Sequence, residues 1–152
     1  MPRFLLASIL CAICGVAAAQ VTVKDAWVRG TVAQQKATGA FMQITAKTAG
    51  RLVEVRSPVA GVSELHEMSM HNDIMRMRAV TGVDLPAGSA VELRPGGFHV
   101  MLMELKKEIA DGQKVPLTLV IEHADKTREV VEVEAVARGL GAPAGGGMHH
   151  GH

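Results

Sequence analysis

Three features of the sequence predict an all-β fold, a sandwich or a barrel. Short runs in which apolar and polar residues alternate recur along the chain, with the period of half-buried strands. Clusters of Gly, Pro, Asn and Asp punctuate these runs about every ten residues, the spacing expected of sheets joined by tight turns. No long stretch carries a helical period, and valine, a residue that suits a pleated surface, is abundant throughout.

Taken in order, Val21 to Arg29 alternates and forms the first expected strand, with Trp27, the single Trp, as a core anchor. Gly30 to Lys36 is polar and reads as a loop. Gly39 to Thr45 is a second strand, and Lys47 to Gly50 a turn. Arg51 to Ser57 alternates again and stops at Pro58, which cannot continue a central ladder. Val62 to Met70 and Ile74 to Val80 are strands around a turn at His71-Asn72-Asp73. Asp84 to Gly88 is a turn, Ala90 to Leu93 a short strand, and Arg94 to Gly97 a tight turn presenting His99. Phe98 to Leu105 is apolar and strand-like, and Lys106 to Gln113 has room for a helical turn. Pro116 to Glu122 and Thr127 to Ala137 form a last hairpin around Asp125-Lys126, in which His123 is expected to be exposed. That makes eight or nine strands. From Arg138 onward Gly, Ala and Pro dominate, too little apolar surface to order a segment. The domain therefore covers residues 20–137 and residues 138–152 are a flexible tail.

The first residues read as an address. Arg3 precedes an uninterrupted apolar run that ends in Ala17-Ala18-Ala19, the layout of a secretory signal peptide cleaved after Ala19. The run is short for a membrane span, and no stop-transfer flank follows it. A lipoprotein signal needs small residues just before a Cys, and neither Cys11 nor Cys14 has that box. Cys11 and Cys14 are the only cysteines and leave with residues 1–19, so their CxxC is not a redox motif of the mature chain. Removing Arg3 takes the charges from 16 basic and 15 acidic to 15 of each. Such balance argues against nucleic acid and against an anionic membrane as partners.

Sulfur and imidazole are concentrated between Glu64 and Met103, which hold three of seven histidines and six of nine methionines. Alternate residues of a strand share a face, so His66, Met68 and Met70 point one way, Met75 and Met77 share a face, and so do His99, Met101 and Met103. Methionine in a strand is more often core filler than ligand, taken one residue at a time. The repeat of His-x-Met, at His66/Met68 and His99/Met101, is what favours a metal site. Thioether sulfur selects Cu(I), and imidazole suits copper in either state. Zinc would prefer cysteine or carboxylate, and calcium or magnesium would need oxygen ligands. A blue-copper centre needs a Cys, which the mature chain lacks.

These residues resemble a known family, the periplasmic copper chaperones called PCuAC. Its motif places His or Met, ten residues, Met, twenty-one residues, His, one residue and Met. Here His66, Met77, His99 and Met101 stand at that spacing, and the segments LPAGSAVELRPGGFHVMLMEL and GQKVPLTLVIE agree as well. The chain departs at Ala46 to Gly50, where members often carry an Asn before Gly-rich residues. The resemblance implies a cupredoxin-like, Greek-key β-sandwich in the periplasm that binds Cu(I) through His66, Met77, His99 and Met101. It also implies delivery of copper to the copper subunit of cytochrome c oxidase, in concert with Sco-type thiol proteins; separately from the resemblance, the chain is expected to act as a monomer. The off-motif Met68, Met70 and Met75 are assigned to packing or to a secondary sulfur shell, Met103 to the core, and His71 to a solvated turn.

The same ligands would serve a copper-resistance buffer with no delivery target. A copper enzyme is disfavoured: the chain has no Tyr, and no second constellation suggests nucleophilic or acid–base chemistry. The tail ends in Met148, His149, His150, Gly151 and His152, a short His-rich tract of the kind that binds metals. As a hypothesis, Met148, His149, His150 and His152 form a second site for Cu(II) on a flexible arm, an extension that some PCuAC members also carry. Deleting residues 148–152 should then lower the Cu(II) stoichiometry measured by titration. Unchanged stoichiometry would end the arm idea.

Overall fold

The structure is a computed structural model and describes residues 19–139. The proposed signal segment, with Cys11 and Cys14, and the histidine tail lie outside the described residues. Ten strands follow one another: β1 (Val21–Arg29), β2 (Ala37–Ala46), β3 (Gly50–Arg56), β4 (Ala60–His71), β5 (Ile74–Ala79), β6 (Val83–Leu85), β7 (Ala90–Leu93), β8 (Phe98–Leu105), β9 (Lys114–His123) and β10 (Arg128–Arg138). No helix among the described residues is long and apolar enough to cross a membrane.

The strands hydrogen-bond in the order β5-β4-β8-β2-β1-β10-β9-β3-β6, with β7 joined to β2. One edge of β2 carries β1. Its other edge is shared, Ala37 to Ala40 pairing with β8 and Met42 to Thr45 with β7. Only the β1–β10 pairing is parallel among the ladders, and it mixes the sheet. Strands from both ends of this path feed one core: Leu65 of β4, Val100 and Leu102 of β8, and Ile44 of β2 cluster with Leu52 and Val55 of β3 and Leu117, Leu119 and Ile121 of β9. The path therefore folds over on itself into two layers, the sandwich that the alternating pattern predicts.

Three local differences have physical reasons. The strand β6 occupies part of an expected turn; Val83 and Leu85 are buried and pair with β3, but three residues are too few to display a period. Lys106 to Gln113 forms bends and a turn rather than a helical turn. Its one apolar anchor, Ile109, is buried, and its backbone exchanges two 2.9 Å hydrogen bonds with Thr31. The β4 strand extends through His71, so the β4–β5 turn consists of Asn72 and Asp73 alone. Both have positive φ, 47° and 61°, the conformation that a two-residue turn between twisted strands requires and that Asn and Asp tolerate.

A core-facing position of β8 and an outward-facing position of β5 should respond differently to substitution. Leu102→Ala, at a fully buried position, should cost about 2–5 kcal/mol in chemical denaturation. Met77→Leu, at an exposed position, should change stability by less than about 0.5 kcal/mol.

Candidate metal centre

In β8, Val100 and Leu102 enter the core, which turns His99, Met101 and Met103 to the opposite face. In β4, Leu65 enters the core and Glu64, His66 and Met68 take the other face. Register aligns these outward sets, with His66 directly opposite His99 and Glu64 opposite Met101. The two imidazole centroids are 5.8 Å apart.

On the other side of β4, β5 places Met77 opposite Met68 and Ala79 opposite His66. Met77 and Met101 are thus both diagonal neighbours of His66, one toward each end of the strand. Long side chains span such diagonals. The register therefore places the four sequence-predicted residues His66, Met77, His99 and Met101 on one outer face, with the two methionines on opposite diagonals of His66. Met77 is 48% exposed and Met101 half-buried, so the sulfur side is open.

The histidines, by contrast, are buried, at 9% and 6% exposure. An aromatic shelf flanks His99. The Phe41 ring lies 6.3 Å from His99 and 4.5 Å from Trp27, while the Arg29 and Arg138 guanidiniums lie over Phe41 and Trp27. Gly39 makes room for the shelf: a Cβ there would stand 2.7 Å from the Phe41 ring. Trp27 is buried as expected, but beside Phe41 on the outer side rather than in the core cluster.

Hydrogen bonds assign a proton to each imidazole. His99 Nδ1 donates to the Gly97 carbonyl at 3.0 Å, leaving the Nε2 lone pair free. His66 Nε2 donates to Glu64 at 2.8 Å, which leaves Nδ1 as a buried nitrogen with no partner. A buried polar atom without a partner is costly, and a ligand would satisfy it. A carboxylate behind an imidazole, as Glu64 stands behind His66, is the usual way to orient a metal-binding histidine. The Gly97 carbonyl also accepts from the Met68 backbone N–H at 3.0 Å, so one oxygen ties β4 to β8 and sets the His99 tautomer. The Pro95-Gly96-Gly97 turn supplies it, with Gly96 at φ 86° where a Pro-Gly turn needs positive φ.

Among the described residues no three His, Cys, Asp or Glu side chains gather to hold a metal. An ion at the His66–His99 pair would need thioethers to complete its coordination, which favours soft cations over hard ones. Met103 sits half-buried on the outer face and not in the core. His71 is exposed beside the β4–β5 turn. His123 is not exposed as expected; its side chain is 14% exposed, 3.5 Å from Glu129, on β9 and away from the pair. Met148, His149, His150 and His152 lie outside the described residues. Glu64, Phe41 and Trp27 lie around the pair without having been assigned to the site from the sequence, Trp27 having been read as a core anchor, whereas the Arg94–Gly97 turn presents His99 as expected. Glu64 was within reach, since it shares the His66 face by the same two-residue period.

Residues 21–135 match the LpqE-like family, described as "Putative lipoprotein LpqE-like". The "Putative lipoprotein Lxx21020" of Leifsonia xyli subsp. xyli (strain CTCB07) is 36% identical over 100 residues, 65% of this chain; the match spans 60% of that protein's length. Among solved structures, the copper-bound PCuAC domain from PmoF2 superposes with a TM-score of 0.64 at 23% identity, covering 81% of this chain and 96% of the domain. Apo-DR1885 from Deinococcus radiodurans gives 0.59 at 27% identity, over 91% of this chain and 94% of that one. The Cu(I) form of DR1885 gives 0.57 at 29% identity, over 82% and 83%. The fold is that of PCuAC domains, as the resemblance implies.

Tautomer assignment offers a direct check of this geometry. In the metal-free protein, nitrogen-15 NMR should find His66 protonated at Nε2 and His99 at Nδ1. Glu64→Gln should redistribute the His66 tautomers while leaving His99 unchanged; equal mixtures in the parent protein would contradict the arrangement.

Proposed function

The chain belongs to the LpqE-like family, and from that premise we propose that it is an exported copper carrier. It binds Cu(I) through His66 Nδ1, His99 Nε2 and the sulfurs of Met77 and Met101. Export is part of the proposal, with cleavage after Ala19 and a periplasmic place of work; relatives named as lipoproteins fit an exported chain. The PCuAC fold, and its Cu(I)-loaded relative DR1885 at 29% identity, support copper as the cargo.

The observation that carries the reading is the pair of buried imidazoles with one lone pair each left free, the His66 Nδ1 having no partner. Histidine supplies the fixed half of the site. Methionine supplies the exchangeable half, since a neutral thioether is a soft ligand on a flexible stem. Transfer then needs no free ion: a thiolate or imidazole of a recipient forms a bond to Cu(I) as one thioether leaves. The exposed Met77 side is the direction from which such a ligand approaches. The proposed recipients are the copper subunit of cytochrome c oxidase and Sco-type thiol proteins, following the family resemblance. The reaction is a ligand exchange, and the role is that of a carrier rather than an enzyme.

Cu(I) affinity measured anaerobically against a chromophoric chelator tests this. The parent protein should bind one tight equivalent. Loss of a residue behind a ligand commonly weakens metal sites by about 10–100-fold, so losing two ligands in His99→Ala/Met101→Ala should weaken it by more than about a hundredfold. Unchanged affinity would place the copper elsewhere.

A further inference from the structure

Beyond the His66–His99 pair, the β4–β5 hairpin carries a feature that the four-residue site does not use. Its register sets Met68 opposite Met77 and Met70 opposite Met75, on the same face as His66. The Val80 N–H bonds to the Leu65 carbonyl, so alternate pairs are hydrogen-bonded, and the two methionine pairs fall at the non-bonded positions where opposing side chains come closest. This face of the hairpin thus holds four thioethers in two rungs. From His66 to Met70 it extends about 14 Å, four residues of strand. The opposite face is polar along the same length, with an Arg78–Glu67 pair at 2.7 Å and Ser69 opposite Arg76.

Packing does not explain the outer rung. Met70 and Met75 are 63% and 47% exposed, and all of β5 is exposed. A merely apolar surface could be built from any aliphatic residue. The other large apolar side chains exposed among the described residues are Val32, Val62, Val130 and Val136, with Ile74 at the hairpin tip; exposed thioethers occur only here. The sulfur is therefore placed selectively, on the one face continuous with the imidazole pair.

We infer that Met70 and Met75 form a second, weaker Cu(I) site, an outer station through which the ion reaches and leaves the main site by way of Met68 and Met77. Two opposed thioethers give Cu(I) a neutral, soft, two-sulfur seat. No electron is transferred. A bond from copper to the Met70 or Met75 sulfur forms as one to the incoming donor breaks, and the ion then exchanges toward Met77, which both the hairpin face and the main site share. The inference rests on the proposed main site only for the ion's destination.

The test uses residues 20–152 with carbon-13-labelled methionine methyls, titrated anaerobically with Cu(I) and followed by NMR. The first equivalent should shift the Met77 and Met101 methyls, and further Cu(I) should shift Met70 and Met75 together. In Met70→Leu/Met75→Leu, which keeps the surface apolar, the weak equivalent should vanish while the tight one persists, and Cu(I) transfer to a small chromophoric chelator should slow several-fold. Met70 and Met75 methyls that stay still under excess Cu(I) would overturn the outer site, even if the double variant slowed transfer, because the rung would then be only an apolar contact. Shifts at Met70 and Met75 without shifts at Met77 and Met101 would uphold this site and refute the main one.

Discussion

The register of β4 against β8 is the constraint on which the site depends. His66 faces His99 only because Leu65 pairs with Val100 and Ser63 with Leu102, and Leu65, Val100 and Leu102 are buried in the core. A slip of one residue would carry Leu65 to the outer face and His66 into apolar surroundings, exchanging every side chain between faces. The hydrophobic core thus sets the spacing of the ligands without touching them. Two further features fix the pairings of β4. The Gly97 carbonyl bridges Met68 and His99, and the Asn72-Asp73 turn, with positive φ at both residues, admits a single pairing of the β4–β5 hairpin.

Around that register the site divides into a rigid half and an adaptable half. Both imidazoles have a fixed orientation, each by one hydrogen bond and by burial, His99 beside Phe41 and His66 beside His99. The sulfurs are less restrained: Met77 is exposed on β5, which ends the strand order among the described residues, and Met101 is only half-buried. A fully buried four-ligand cage would hold copper but oppose its release. A fully exposed one would lose the preorganisation that fixed histidines give. On the proposed function, the division between buried histidines and more open methionines is what reconciles holding with transfer.

Much of this was legible in the sequence because strand period is local. Alternation located nine of the ten strands within a few residues, and placed His66, Met68 and Met70 on one face before any pairing was known. Two kinds of feature were not legible. Segments shorter than the period, such as Val83 to Leu85, cannot display it, and the isolated Ile109 imitates a helical turn only because one buried residue fits either reading. Cross-strand neighbours are the second kind. Nothing near Trp27 or Phe41 in sequence indicates that they shield His99, since the contact is created by β1, β2 and β8 lying side by side. Trp27 was expected in the core for its apolar area alone, whereas the bulge between Lys24 and Trp27 shifts the alternation by one residue, so that Val28 and not Trp27 joins Val21 and Val23 on the core face.

Glu64 bears on which oxidation state the proposed site favours. The four ligands are neutral, so the ion's charge is met by whatever lies behind them. Glu64 supplies one carboxylate, bonded through the His66 Nε2 proton and with its side chain 44% exposed. With Cu(I) the ion and Glu64 sum to zero. With Cu(II) one positive charge would be left beside two buried imidazoles and an aromatic shelf, and uncompensated charge is expensive in such surroundings. The Arg29 and Arg138 guanidiniums over that shelf add to the same bias, because nearby positive charge opposes a divalent ion more than a monovalent one. Soft sulfur and charge balance thus select the monovalent ion independently, one through bonding and the other through electrostatics. Without copper, the half-exposed Glu64 carboxylate keeps contact with water, so the empty site carries no buried unpaired charge that would destabilise the fold between one cargo and the next.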